Sequence, residues 1–186
     1  MVIKLYSGTY TPKPRFLFFF EYSEWSKNHR VFSLYMHDYM ATHPEAKIRF
    51  RASDMVLNVH SDTSYLSAAK CRSRAGGYFF LGSFPTDGKP IQLNGNIMIT
   101  CKILKLVASS AAEAELGALF VSTKEAKIIR LTLQELGHLQ PQMPIHVDNT
   151  TVIGIVNNTI KQQRSRTMEM RYFWLLSTQK KPKYSV

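Results

Sequence analysis

"SSAAEAELGAL", residues 109–119, places two glutamates two positions apart in a small, apolar run. On a helix, residues i and i+2 do not share a face, so Glu113 and Glu115 cannot do the same job. Ser110-Ala-Ala-Glu113 fits a capping box: Ser110 caps the helix, and Glu113 reaches back to the Ser110 amide. That accounts for Glu113. Downstream, Leu116, Leu119, Phe120, Ala126, Ile129, Leu133 and Leu136 recur at helical spacing. They predict a helix from Ser110 to about Leu136 with one apolar face. Gly137 stops it, and Pro141 and Pro144 keep it stopped. Its length allows a kink or break near Ser122–Thr123. Glu115 falls at the edge of the apolar face, where an acid is poorly solvated. It needs a base, a hydrogen-bond network or a metal as partner.

Before this helix, short alternations of apolar and polar residues predict three strands. They are "DMVLNVHSDTSYL" (54–66), "GYFFLGS" (77–83) and "NIMITCKILKLVA" (96–108). "SAAKCRSRAGG" (67–77) reads as a hairpin turn and "TDGKPIQLNG" (86–95) as a connecting turn, giving an antiparallel meander. After the helix, "MPIHVD" (143–148) predicts a strand, and "NTTVIGIVNN" opens a helix capped by Asn149. "QQRSRTMEMRYFWLL" (162–176) predicts a last helix, and the basic tail 177–186 is expected to be disordered. The fold class is therefore α/β, with a mixed sheet of three antiparallel strands and one further strand, flanked by helices. Residues 1–36 show no clean period and stay unassigned. Residues 37–53 read as a short helix ending before His43-Pro44, then a basic link. The domain proper is 54–176.

The chain has 186 residues and a formal charge of +11. That balance suits a polyanionic partner, nucleic acid or an anionic membrane surface. Two distant cysteines, Cys71 and Cys101, argue against a zinc site or a disulfide framework. "FLFFF" (16–20) is far too short to span a bilayer and is not a signal peptide. An intracellular protein, cytoplasmic or nuclear, with no membrane partner is expected.

Two further acids sit in telling places. Asp62 follows an apolar run in "VHSDTS", and Asp148 ends a strand in "IHVDNT". Sites gather where strands end and helices begin. If the first and fourth strands are neighbours, Asp62, Glu115 and Asp148 converge. Such carboxylates repel by about 4 kcal/mol per pair at 4 Å and an effective dielectric near 20, so a divalent cation between them is called for. Oxygen-only ligands favour Mg²⁺ or Mn²⁺. Each acid also has a structural reading. Glu115 could pair with Lys70, Arg72 or another base on the sheet, Asp62 could be a strand-end turn acid, and Asp148 could help cap the following helix.

"HSDTSYLSAAKCRSRAGGYFFLG", "SSAAEAELGAL", "KEAKIIRLTLQELG", "PIHVDNTTVIGIVNN" and "RSRTMEMRYFWLL" occur in that order. Together they resemble the ribonuclease H domain of copia-type LTR retrotransposon polyproteins, over about residues 37–176. "DYMATHPEAKIRF" looks like the segment joining polymerase to ribonuclease H. The resemblance implies a ribonuclease H-like fold and a two-metal nuclease that cuts the RNA strand of an RNA–DNA hybrid. It makes Asp62, Glu115 and Asp148 the catalytic, metal-binding acids, with two Mg²⁺ or Mn²⁺ ions when the site is complete, and a reverse transcriptase polymerase domain a further partner. The family also has a fifth strand and a final helix carrying a fourth aspartate. The resemblance therefore implies that this chain is truncated, lacking both. Glu169 is the only late acid, in a motif that usually carries Asp, and Thr167 replaces the motif's histidine. Glu169 is expected to be structural, with substitution for the fourth ligand the alternative.

Lys70, Arg72 and Arg74 alternate with small residues in the first hairpin; Arg164, Arg166 and Arg171, with Lys161 nearby, form a second basic group. Either could track phosphates or be a solvated charged face. Tyr172, Phe173 and Trp174 are expected in the core. Three readings result: a ribonuclease H-type nuclease; a catalytically inactive nucleic-acid-binding remnant; or an integrase- or exonuclease-like relative acting on DNA.

Overall fold

A computed structural model describes residues 3–5, 15–17, 37–45, 47–84, 92–157, 169–179 and 184–185. Two three-residue strands, β1 (Ile3–Leu5) and β2 (Arg15–Leu17), pair antiparallel. A one-and-a-half-turn helix, α1, spans residues 37–42 and stops before His43-Pro44. The main sheet follows, with β3 (Val56–Ala68), β4 (Arg72–Gly82) and β5 (Asn96–Ile103). Then come α2 (Ala111–Glu135), β6 (Met143–His146), α3 (Thr150–Val156), α4 (Glu169–Gln179) and β7 (Tyr184–Ser185).

The sheet order is β5-β4-β3-β6-β7. β3, β4 and β5 form the expected antiparallel meander, and β6 lies parallel to β3. This is the mixed sheet flanked by helices that the sequence predicts. The expectation that the chain lacks a fifth strand does not hold: Tyr184–Ser185, in the tail predicted to be disordered, pairs in parallel with Met143–Pro144 and makes the sheet five-stranded. The backbone groups on the outer edge of β6 find partners there, which a bare edge would leave to solvent.

Three boundaries differ from the pattern reading. The turn between β3 and β4 is only residues 69–71, and "RSRAGG" belongs to β4. Lys70 and Cys71 both take positive φ (60° and 52°), which turns the chain sharply and matches the twist of the strands. Buried Ser73 accepts from the Leu66 amide at 3.0 Å, holding a bulge between Ser64 and Ala68. β6 ends at His146, so Val147 and Asp148 lie beyond it. The described part of α4, Glu169–Gln179, runs past the expected end at 176 into the tail predicted to be disordered, and residues 162–168 of the predicted helix lie outside the described residues.

α2 runs without a break through Ser122–Thr123. Thr123 Oγ1 donates to the Leu119 carbonyl at 2.7 Å, and Ser122 Oγ donates to Ser61 Oγ at 3.2 Å. Both hydroxyls are thus satisfied inside the fold, so neither interrupts the helix. Leu57, Val59 and Phe79 of the sheet pack against Leu116, Leu119, Ala126 and Leu133 of α2 to make the main core. Ile145, Val152, Val156 and Leu175 extend it under β6, α3 and α4. Beyond α2, Gly137 takes φ 87°, which only glycine adopts without strain, and the His138 amide closes onto the Leu133 carbonyl.

The loop that follows sets β6 beside β3. Buried Arg130 donates to the carbonyls of Gln140 and Pro141. Gln140 in turn accepts from the Leu57 amide (3.1 Å) and donates to the Met55 carbonyl (2.7 Å). No described helix is long and apolar enough to cross a membrane.

Candidate metal centre and nucleic-acid interface

The two glutamates of "SSAAEAELGAL" separate as predicted. Ser110 is the N-cap of α2, and its side chain accepts from the Glu113 amide at 3.2 Å. Glu113 Oε2 accepts from the Ser109 amide (2.7 Å) and Ser109 Oγ (2.5 Å). The return contact thus falls on Ser109, one residue before the expected Ser110. Glu115, two residues on and so on a different face of the helix, is buried (7% exposed) and meets a different neighbourhood.

That neighbourhood is acidic. Asp62, Glu115 and Asp148 each offer a carboxylate oxygen, and these lie within 4.8 Å of one another. Three separate elements supply them: β3, the second turn of α2, and the link from β6 to α3. Asp62 is half-buried and Asp148 exposed, so the cluster opens outward from a buried floor.

Two structural readings of these acids lose their ground. Asp62 is inside β3, paired with Gly76, and is not a strand-end turn acid. Its Oδ1 accepts from the Thr63 amide at 2.8 Å, and Thr63 Oγ1 donates to the Arg74 carbonyl. The N-terminus of α3 is capped by Asn149, whose Oδ1 accepts from the amides of Thr151 (3.0 Å) and Val152 (3.2 Å). Capping therefore does not call on Asp148.

Unit charges 4.8 Å apart repel by roughly 3.5 kcal/mol at an effective dielectric near 20. A site that gathers three acids suits a bound cation, and an all-oxygen donor set suits a hard one such as Mg²⁺ or Mn²⁺. The donor chemistry thus fits a divalent ion.

Beyond the acids, the hairpin is basic. Lys70 is exposed at the turn, and Arg72 Nε donates to the Ala69 carbonyl at 3.3 Å. Arg72 and Arg74 lie on the face of β4 that carries Gly76, the partner of Asp62, because alternate residues of a strand share a face. They extend from the carboxylates toward the hairpin tip. Of the second basic group, Lys161, Arg164 and Arg166 lie outside the described residues. Arg171 is half-buried, its Cζ 5.9 Å from the Phe120 ring centroid where α4 meets α2. Tyr172 and Trp174 pack on the core as expected, whereas Phe173 is 61% exposed. Glu169 opens α4.

The pattern reading missed a pair of histidines. His60 and His146 stack, ring centroids 4.6 Å apart and planes 26° from parallel. Burial, and then the neighbouring His146, lowers the pKa of His60 to about 4; burial also lowers that of His146. The signal was available: "VHSD" and "IHVD" both place a histidine two residues before an acid.

No family model matches the chain. It is similar to the retrovirus-related Pol polyprotein from transposon TNT 1-94 of Nicotiana tabacum, 29% identical over 126 residues. That match covers 68% of this chain, and the chain spans only 9% of the polyprotein. The retrotransposon resemblance read from the motifs is therefore borne out. Among solved structures, the chain resembles LC11-RNase H1 isolated from compost (11% identity, 70% of this chain, 81% of that chain, TM-score 0.48). It also resembles LC11-RNase H1 in complex with an RNA/DNA hybrid (8% identity, 69% and 83% covered, TM-score 0.47).

Proposed function

We propose that the chain is a ribonuclease H-type nuclease domain of a retroelement polyprotein. It would hydrolyse the RNA strand of RNA–DNA hybrids, in company with a reverse transcriptase polymerase domain to which residues 37–53 would link it. One observation carries this reading: three acids from three elements bring carboxylate oxygens within 4.8 Å of one another at a strand–helix junction. The likeness to a Pol polyprotein supports the retroelement origin.

In this reading Asp62, Glu115 and Asp148 hold divalent ions, two when the site is complete. Bound there, such ions supply an activated water and stabilise the leaving oxygen of an in-line displacement. The chain's own part is positional. The Thr63 amide fixes one oxygen of Asp62. The α2 backbone and the core hold Glu115 on the buried side of the cluster. Lys70, Arg72 and Arg74 run from the carboxylates along the hairpin and would take the phosphates of one strand; Arg164 and Arg166 would take others.

A second reading has support of its own. Among the described residues the cluster contains three acids, one fewer than the resemblance implies. A catalytically inactive, nucleic-acid-binding remnant would have this composition. Cleavage of a strand-labelled RNA–DNA hybrid in Mg²⁺ and in Mn²⁺, with Asp148→Asn as control, decides. RNA-strand cleavage that the control loses supports the nuclease. Binding of the hybrid by folded protein without cleavage supports the remnant.

A further inference from the structure

The two strand-borne acids share an arrangement that Glu115 does not. His60 precedes Asp62 by two residues, and His146 precedes Asp148 by two. The parallel pairing of β3 with β6 sets His60 opposite His146. Their rings stack at 4.6 Å, within the separation that aromatic pairs favour. His60 is buttressed from β4 by Phe80, ring centroid 5.6 Å away. Val59 and Ile145, the preceding residues, belong to the core beneath α2. The two histidines therefore occupy the opposite face of the sheet.

The registered pairs of β3 and β6 are Val59↔Ile145 and His60↔His146. They end two residues short of both acids, and β6 itself ends at His146. The stack thus sits at the last registered pair of these strands before the chain reaches Asp62 and Asp148. Two imidazoles are a costly choice for the place. His146 Nε2 is buried and makes no hydrogen bond among the described residues, a penalty an aliphatic pair would avoid. Two flat rings provide something an aliphatic pair does not: a fixed face-to-face spacing between neighbouring strands.

We propose that His60 and His146 are positioning residues for the divalent-cation site, their stack setting the separation of Asp62 from Asp148. This rests on the reading of those acids as cation ligands. A strand pair held at one spacing keeps the two carboxylates at one spacing, so the ion meets a preformed pair of ligands. Groups that orient ligands without touching the ion typically change metal affinity by about 10–100-fold when removed.

The test is Mn²⁺ binding by the full chain, read from the free-ion paramagnetic resonance signal, with folding checked by circular dichroism. Wild type is expected to bind, and Asp148→Asn to lose binding. His60→Leu and His146→Leu keep the volume apolar but remove the stack, and each is expected to weaken Mn²⁺ about tenfold. His60→Phe keeps a flat ring and is expected to bind like wild type. The double leucine variant is expected to be no weaker than either single one, because the stack is lost once. Leucine variants that bind like wild type would overturn the proposal. So would a His60→Phe variant as weak as His60→Leu, since ring shape would then be irrelevant. If His146→Leu does not fold, the two His60 variants decide alone. Wild type that fails to bind, or Asp148→Asn that binds equally, overturns the ligand reading itself, and this proposal with it.

Discussion

Ser122 donates its hydroxyl proton to Ser61 across 3.2 Å, so α2 meets β3 one residue before Asp62. The approach is close because Gly77, the cross-strand partner of Ser61, has no side chain. A Cβ there would lie 2.6 Å from Thr100 Oγ1 and 3.1 Å from Ser122 Oγ. Gly77→Ala is therefore expected to lower stability by about 1–3 kcal/mol through overpacking, and Ser122→Ala by about 1 kcal/mol through the lost hydrogen bond. Urea midpoints measure both. A Gly77→Ala protein as stable as wild type would mean that the helix does not press on the sheet here.

Arg130 determines where β6 goes. Its guanidinium satisfies the carbonyls of Gln140 and Pro141, and Gln140 is bonded to the main chain at both Met55 and Leu57. Arg130→Met keeps the aliphatic stem and removes the donors. It is expected to cost about 2–4 kcal/mol, because charged hydrogen bonds are lost and buried carbonyls are left unsatisfied. Thermal and urea unfolding check this. A change within 0.5 kcal/mol or so, typical of surface substitutions, would show that the loop is held otherwise.

The division of labour between Glu113 and Glu115 separates stability from ion binding. Glu113→Ala removes a contact at the helix start and is expected to cost about 1 kcal/mol. It should leave the rise in melting temperature on adding Mn²⁺ intact. Glu115→Gln is expected to abolish that rise. Scanning calorimetry with and without Mn²⁺ reads both effects, and an unchanged Mn²⁺ response in Glu115→Gln would remove Glu115 from the site.

His60 makes stability depend on pH. The unfolded chain takes up a proton as pH falls below about 6.5. Folded His60, held neutral by burial and by His146, does not take one up until about 4. Between those values the unfolded state binds more protons, so stability falls as pH falls and the loss is complete below about 4. The loss is on the order of 3 kcal/mol. His146 shifts in the same direction and adds to it. Urea midpoints of wild type and His60→Phe across pH 7.5 to 4.5 should diverge on the acid side, the variant falling less. Parallel curves would sink the assignment.

Much of the fold was legible because it rests on local pattern. The meander followed from short alternations, and α2 from apolar residues at helical spacing with Ser110 at one end and Gly137 at the other. Where patterns compete, the reading slipped. Small and basic residues made "RSRAGG" look like a turn, but the tertiary pairing with Ser64 and Ala68 makes it strand. Ser122 and Thr123 suggested a break, and their hydroxyls found partners instead.

The sequence by itself determined the roles open to single residues: a capping serine, a stop glycine, and an acid on an apolar edge that needs a partner. These depend on neighbours within a few positions along the chain. Only the tertiary structure decided that Asp62, Glu115 and Asp148 share one place, since 53 and 33 residues of chain separate them. The same holds for the His60–His146 stack and for the Arg130–Gln140 bonds that bring β6 alongside β3. Contacts between distant segments are fixed by sheet register and by which buried groups find partners, and those arise only when the whole core closes.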